Sequence, residues 1–232
     1  MSESLEAASV LFATEVQATL DGVLPGDRMI ISRRAERADR YVVRPEAKDV
    51  PLLVGGDHLA DLTPTVYLAR DRTGEFLKAV RSEFVVKSVL DRTPLVRLDY
   101  RTDMNRAPVA HWQIHAERGA FSHLLARAHA VDKSRVGKPH ELSSLHFPVG
   151  GERFRPCLED FLQFLVGECG VDALPGWAAF VEKGREGWRR KQLRSTIRDA
   201  EQEAADVLRR LGWTVTAPEH GTPENRGSFT RW

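Results

Sequence analysis

Three strand-like runs alternate with two turns in the stretch LTPTVYLAR (residues 62–70), DRTG (71–74), EFLKAVRSEFVVKSVL (75–90), DRTP (91–94) and LVRLDYR (95–101). The runs are rich in β-branched and aromatic residues, which favour strands, and the short segments between them have turn composition. Strands joined by such short turns pair antiparallel. Poor alternation in the second long run indicates a bent or bulged strand. This stretch therefore predicts an antiparallel sheet.

The chain before this stretch predicts one helix and two further strands. Ser4 is a suitable N-cap for a helix through Leu20, along which apolar residues recur with helical spacing. Short runs at residues 28–33 and 40–44 read RMIISR and RYVVR and are predicted strands. An N-terminal helix, an antiparallel sheet of about five or six strands and a C-terminal helical part make an α+β fold.

The chain after the stretch is predicted to be mainly helical. A helix opens after Gly119, Pro156 starts an apolar helix expected in the core, and charged helix-forming sequence follows from Pro175. TVTAP at residues 214–218 is a candidate returning strand. We divide the chain into an α+β core domain (1–172), a helical segment packed on or beside the core (173–217) and a disordered tail (218–232).

Composition limits the class of protein. The 232 residues include 34 Lys and Arg, 33 Asp and Glu and 42% hydrophobic residues, for a net charge of +1. This balance is typical of globular proteins and excludes a wholly basic nucleic-acid coat. No apolar run approaches the roughly 20 residues that span a bilayer, and the N-terminus lacks signal-peptide features. Cys157 and Cys169 cannot form a disulfide framework, so we expect a cytoplasmic protein without a membrane partner.

Titratable groups are concentrated in residues 95–165, which hold six of the eight histidines. If the strand at 95–101 forms a hairpin with residues 109–117, alternation places a carboxylate, two arginines and two histidines on one face: Arg97, Asp99, Arg101, His111 and His115. The histidines would be acid/base catalysts oriented by the carboxylate, and the arginines would bind a phosphate of the substrate. This inventory suits RNA cleavage or other phosphoester chemistry. A solvated sheet face without function is the alternative.

The conformation of residues 109–117 decides whether a metal ion can bind between two histidines. In a helix that starts at Pro108, His111 and His115 would be neighbours able to hold one ion. On a strand they share a face but lie about 13 Å apart, at about 3.3 Å per residue, too far for a shared ion. His146 could join either histidine, but no spacing matches a zinc pattern. We favour the strand and expect no metal and no cofactor.

The segment LHFPVGGERFRPC, residues 145–157, is a second candidate site. Two glycines and two prolines fix its backbone and place Arg153 and Arg155 just ahead of a predicted helix N-terminus, where anions bind. Together with His146, these arginines are predicted to bind substrate. A structural turn that leads into a buried helix is the alternative.

A basic segment at residues 183–198 is a third candidate. It holds seven Lys and Arg against Glu186 alone, a local charge of +6. Such a helix can bind the phosphates of a nucleic acid or an acidic partner. The residues predicted to do so are Arg185, Arg189, Arg190, Lys191 and Arg194. A solvated helix face, balanced by the acidic residues that follow, is the alternative.

The order LVRLDYRTDMNRAPVAHWQIH (residues 95–115) and then LHFPVGGERF (145–154) resembles small toxins of the TumE type from bacterial toxin–antitoxin pairs. In that family an R-x-D strand precedes histidine pairs and a later Pro/His segment. The resemblance implies an RNA-directed toxin that a DNA-binding antitoxin neutralises. The Arg- and Ala-rich composition is also similar to that of actinobacterial or phage-encoded proteins.

No phosphate loop, dinucleotide fingerprint or nucleophile elbow occurs in the sequence. Our leading hypothesis is therefore a nucleic-acid-directed protein, specifically a metal-independent, ribonuclease-like toxin of a toxin–antitoxin or phage-defence system. A non-catalytic module for protein interaction or oligomerisation is the alternative. The first requires its catalytic side chains to converge, whereas the second requires an exposed apolar patch.

Overall fold

The computed structural model describes residues 4–36, 39–90, 94–104, 108–115, 147–149 and 152–231, with residues 126, 129, 138 and 141. Within this part of the chain the helices are α1 (Leu5–Val23), α2 (Leu158–Gly167), α3 (Trp177–Asp199), α4 (Glu201–Arg210) and α5 (Gly227–Thr230). The strands are β1 (Ile30–Arg34), β2 (Tyr41–Pro45), β3 (Val50–Val54), β4 (Asp57–Arg70), β5 (Leu77–Ser88), β6 (Pro94–Arg101), β7 (Ala110–Ile114) and β8 (Phe147–Pro148).

One antiparallel sheet organises the molecule, in the order β1-β2-β4-β5-β6-β7-β8. The 14-residue β4 pairs with β3 along its first half and with β2 along its second half. The predicted α+β fold, with a helix before the sheet and helices after it, is confirmed. Strand β3 was not predicted.

The turn between β3 and β4 explains why β3 escaped prediction. Val54 pairs with Asp57 across a two-residue turn, in which Gly55 and Gly56 have φ angles of 61° and 86°. Two consecutive positive φ angles are the geometry of a tight hairpin turn, which glycine adopts without steric cost. Pro51 within a short run weakened the strand signal, although proline is compatible with an edge strand.

A β-bulge in β5 accounts for its poor alternation, as the sequence predicted. The register with β4 shifts from Tyr67↔Arg81 to Leu68↔Ala79, so Val80 is an extra residue in β5. Because the bulge changes the phase of the strand, Ala79 lies on the same face as Phe84. The apolar side of β5 is thereby continuous.

The hydrophobic core lies between one face of the sheet and helices α1 and α2. Leu20 of α1 and Phe161 of α2 are fully buried against sheet residues such as Leu62 and Phe84. The ring centroid of Phe161 lies 5.4 Å from that of Trp112 in β7. At the start of α1, the Ser4 hydroxyl accepts a hydrogen bond from the amide of Ala7, as expected for the predicted N-cap.

The predicted helical segment 173–217 forms two helices, α3 and α4, since the chain breaks at Ala200 (φ −144°, ψ 68°). Residues 214–218 do not form the predicted strand, because they are largely exposed and lie beside no strand of the described chain. Within the segment 218–231, Ser228 is buried, and Arg231 donates a hydrogen bond to the carbonyl of Thr102 at 3.0 Å. This segment therefore contacts the body of the protein.

Two chemical features complete the fold. Cys157 is buried and Cys169 is exposed, and both are free thiols. No helix among the described residues is long and apolar enough to cross a bilayer.

Candidate ligand-binding cavity

The predicted hairpin of polar residues is present. Strands β6 and β7 pair antiparallel with Asp99 opposite His111 and Arg97 opposite Gln113. Residues 110–114 form a strand, so the helical alternative for this segment is wrong. On this strand His111 and His115 are four residues apart, which excludes a shared metal ion for that pair.

Two residues that sequence reasoning missed extend this face onto β5. Glu83 lies opposite Asp99, and Arg81 lies opposite Arg101. The Arg97 guanidinium joins Asp99 at 2.8 Å and Glu83 at 3.5 Å, while Arg81 contacts Glu83 at 2.6 Å. We call Arg81, Glu83, Arg97, Asp99, His111 and His115 the polar face. Arg81 and Glu83 were missed because of the bulge at Val80. Regular alternation across the bulge would put them on the same face as the apolar residues Leu77 and Ala79.

The polar face is not a solvated surface. Asp99 is 6% exposed and His111 is 2% exposed. Burial raises the pKa of Asp99, an effect that Arg97 opposes. Burial also lowers the pKa of His111, whose Nδ1 lies 2.8 Å from the Pro108 carbonyl oxygen, and the pKa of His115. Both imidazoles therefore favour the neutral form.

Several buried polar atoms of the polar face have no hydrogen-bond partner among the described residues. They are Arg81 Nε, Arg97 Nε, Asp99 Oδ1 and His115 Nε2. Such atoms are rare in folded proteins and often mark functional sites. Arg101 instead makes an ion pair with Asp103 at 3.1 Å. The predicted site residue His146 lies outside the described residues.

Arg153 and Arg155 lie on the opposite side of the sheet from the polar face. The guanidinium carbon of Arg155 is 3.7 Å from the ring centroid of Tyr100. Tyr100 follows Asp99 on β6, and consecutive strand residues point to opposite faces. Arg153 and Arg155 therefore cannot share one substrate site with Arg97, although the sequence analysis grouped them.

The N-terminus of α2 already has an acceptor from its own chain. Asp160 Oδ2 accepts a hydrogen bond from the Cys157 amide at 3.0 Å, and its other oxygen lies 2.7 Å from Arg185 Nε. Burial acts to raise the pKa of Asp160, but the hydrogen bonds from Cys157 and Arg185 together lower it below its usual value. The anion expected at this helix start is thus a side chain of the protein.

Most of the basic segment is ion-paired within the molecule. Arg185 and Arg189 contact Asp160, Arg190 contacts Glu186, and Lys191 contacts Glu15 of α1. Arg194, which is exposed, has no such partner in the described chain. The pairs with Asp160 and Glu15 attach α3 to α2 and α1, and the Arg190–Glu186 pair lies within α3. The basic segment thus has a smaller free positive charge than the sequence suggested.

Beneath α3 the structure contains a cavity of about 490 Å³. Its floor is the apolar side of the sheet, including Val43, Val66, Leu68, Ala79 and Phe84. One wall is α1, where the lining residues 12, 15, 16 and 19 have the spacing of a single helix face.

Helix α3 covers the cavity through residues 188, 191, 192, 195, 198 and 199, which also lie on one helix face. Thr222 and Asn225 of the C-terminal segment complete the lining. The cavity thus collects residues from the N-terminal helix, the sheet, α3 and the C-terminal segment.

The floor of the cavity is mostly apolar, whereas its walls carry many polar and charged residues. Arg155 is 8% exposed, and burial lowers its pKa. The Tyr100 hydroxyl and Gln192 Oε1 are buried without a hydrogen-bond partner in the described part of the chain. Burial raises the pKa of Tyr100 to about 12, so the hydroxyl remains protonated and able to donate.

An ion-pair network borders the cavity beside Arg155. Glu152, which is 3% exposed, lies 2.8 Å from Lys78 and 3.6 Å from Arg153. Arg153 Nε donates a 2.6 Å hydrogen bond to Asp199 at the end of α3, and Asp199 also accepts one from Asn225 at 3.0 Å. This network joins the start of α2 to α3 and to the C-terminal segment.

Comparison with protein-family models, curated proteins and solved structures finds no match to this chain. Among the described residues, no group of three or more His, Cys, Asp and Glu side chains could hold a metal ion. The resemblance to TumE-type toxins stays a prediction.

Proposed function

We propose that this protein binds a small, largely apolar organic molecule in the cavity beneath α3. The observation that carries the proposal is the 490 Å³ cavity itself, which has a mostly apolar floor, polar and charged walls, and two buried polar atoms without a partner in the described chain. Ligand sites of this kind occupy about 300–1,000 Å³ and combine apolar walls with a small number of polar groups that orient the ligand. The free thiols and the balanced charge of the chain fit a cytoplasmic location for this activity.

The uncharged fluorescent probe N-phenyl-1-naphthylamine tests the proposal. We expect its fluorescence to rise on binding and to saturate at one probe per chain. Ala79→Phe, which inserts a ring into the cavity floor, should weaken binding at least about tenfold, or by about 1.4 kcal/mol, because the ring occupies volume that the probe needs. Ala69→Phe is the matched control, since Ala69 is a small β4 residue outside the cavity lining. Thermal unfolding of both variants verifies that they are folded.

Two results would contradict the proposal. One is the absence of saturable probe binding by the folded wild-type protein. The other is equal binding by the wild type and a folded Ala79→Phe variant, because the probe would then occupy a different surface.

As a second candidate, we propose that the polar face supports the nucleic-acid-directed function suggested by the sequence, a metal-independent ribonuclease-like toxin with an antitoxin-type partner. The observation that favours it is Asp99, a buried carboxylate held by Arg97, with Oδ1 unpartnered in the described chain. Because His111 is almost fully buried, His115 is the histidine that would transfer protons. Its Nε2 also has no hydrogen-bond partner among the described residues.

An RNA and DNA cleavage assay, with and without a chelator, tests this second candidate. We expect cleavage of RNA that survives chelation and decreases at least about 100-fold in His115→Ala, the typical contribution of a general acid or base. His58→Ala is the matched control, because His58 lies on β4 and contacts Asp61 at 2.8 Å. Unchanged cleavage in a folded His115→Ala variant would remove His115 from the mechanism, and inactivity on both polymers would refute the nuclease proposal.

A further inference from the structure

The chemistry of the ligand is indicated by Arg155, the most buried positive charge in the cavity lining. Its guanidinium carbon lies 3.7 Å from the Tyr100 ring centroid and 5.5 Å from that of Trp188. Arginine stacks its flat guanidinium on aromatic rings and uses its edge for hydrogen bonds. The two rings therefore leave the edge of the guanidinium as the part that can bind a ligand.

Within the described part of the chain, one position on that edge is occupied. Arg155 Nη1 donates a hydrogen bond to the carbonyl of Glu152, and Arg155 makes no ion pair with any described residue. The Nε–H and Nη2–H groups form a second pair of parallel donors. Such a pair matches the two oxygens of a planar oxyanion, which arginine binds with two hydrogen bonds at once.

The acids near Arg155 are already shared. Glu152 is bound by Lys78 and Arg153, and Asp199 is bound by Arg153 and Asn225. This network contains two positive side chains, Lys78 and Arg153, and two negative ones, so it supplies no spare negative charge to Arg155. A buried charge without a counter-ion is unfavourable, so one additional negative charge at Arg155 would be stabilised.

A second group beside Arg155 can also bind an oxyanion. Tyr100 is 2% exposed, and its hydroxyl lacks a partner in the described chain although it lines the cavity. A protonated phenol donates to an anionic oxygen. The floor of the cavity beside these two groups is mostly apolar and includes Val66, Leu68 and Phe84.

We infer that the ligand is an amphipathic carboxylate, with its carboxylate held by Arg155 and Tyr100 and its apolar body on the sheet floor. This inference rests on the proposed ligand-binding function. A carboxylate fits better than a phosphate monoester, because it is planar and its single charge matches that of one guanidinium.

Displacement of N-phenyl-1-naphthylamine by three ligands with the same chain tests the inference: dodecanoate, dodecanol and dodecyl phosphate, each below its micelle concentration. We expect dodecanoate to displace the probe at least about tenfold more effectively than dodecanol, as hydrogen bonds to charged groups allow. Dodecyl phosphate should be weaker than dodecanoate. Calorimetric titration with dodecanoate confirms binding without the probe.

Arg155→Met removes the charge and keeps a long side chain, so it should abolish the preference for dodecanoate over dodecanol and retain probe binding. Tyr100→Phe keeps the ring beneath Arg155 and should reduce the preference only in part. Arg189→Met is the matched control, because the Arg189 side chain is 65% exposed and does not line the cavity. It should leave the preference unchanged.

The outcomes separate this inference from the proposed function. Probe binding without a preference for dodecanoate, or a preference that survives in Arg155→Met, would overturn the carboxylate inference alone. Tighter binding of dodecyl phosphate would also overturn it, in favour of a phosphate headgroup. Failure of the probe, dodecanoate and dodecanol to bind would overturn both the inference and the proposed function.

Discussion

Replacing Phe161 by alanine should lower the free energy of unfolding by about 3–5 kcal/mol, the usual cost of truncating a buried phenylalanine. Phe161 has 0% exposure and lies 5.4 Å from Trp112 and 5.8 Å from Phe84, measured between ring centroids. It thus joins α2 to both β5 and β7. The cavity left by truncation cannot collapse easily, because sheet residues form its walls.

Urea denaturation with linear extrapolation measures this loss, provided that the wild type and the variant show the same dependence of the unfolding free energy on urea concentration. Phe154→Ala is the matched control, because Phe154 is 70% exposed and should change stability by less than about 0.5 kcal/mol. Equal stabilities of the two variants would show that α2 does not pack on the sheet through Phe161.

Asp199→Asn should lower the free energy of unfolding by about 3–5 kcal/mol, because it leaves the Arg153 charge buried without its main partner. The side chains of Arg153 and Asp199 are 11% and 6% exposed. Asn225 donates to Asp199 as well, so the C-terminal segment should become more accessible to protease. The double variant Arg153→Met/Asp199→Leu should be less destabilised than the single variant, since neither charge remains.

Asp206→Asn provides the comparison for this measurement. Asp206 pairs with Arg209 at 2.8 Å, but both side chains are about 40% exposed, and exposed pairs contribute about 0–1 kcal/mol. If Asp199→Asn were no more destabilising than Asp206→Asn, the Arg153–Asp199 pair would not be a structural link.

The sheet was largely predictable because its signals are local. The DRTG turn and the run of β-formers on each side identify β4 and β5 without knowledge of any distant residue. The same approach missed β3, whose hairpin depends on two glycines and whose strand contains Pro51. Sequence alternation also could not assign Arg81 and Glu83 to the polar face. The bulge at Val80 changes which face the alternate residues of β5 occupy, so residues before and after it do not follow one pattern.

The candidate site was predictable only in part. Sequence patterns selected Arg155 as an anion-binding residue but placed it with His111, which lies on the other side of the sheet. The cavity could not be inferred because its lining comes from parts of the chain as distant as α1 and Asn225. A partial signal was present in the basic segment, where Trp188, Gln192 and Ser195 recur with helical spacing among charged residues.

Helix α3 buries only two of its 23 residues, Val181 and Asp199. Apolar contacts of Trp177 and Val181 hold its N-terminal end against the core. The part that covers the cavity is attached through charged contacts such as Lys191 with Glu15. Dissolved salt screens such contacts, with a Debye length of about 8 Å at physiological ionic strength, while the apolar packing of α1 and α2 is unaffected. We therefore expect the covering of the cavity to open more often as ionic strength rises, while the floor of the cavity stays fixed.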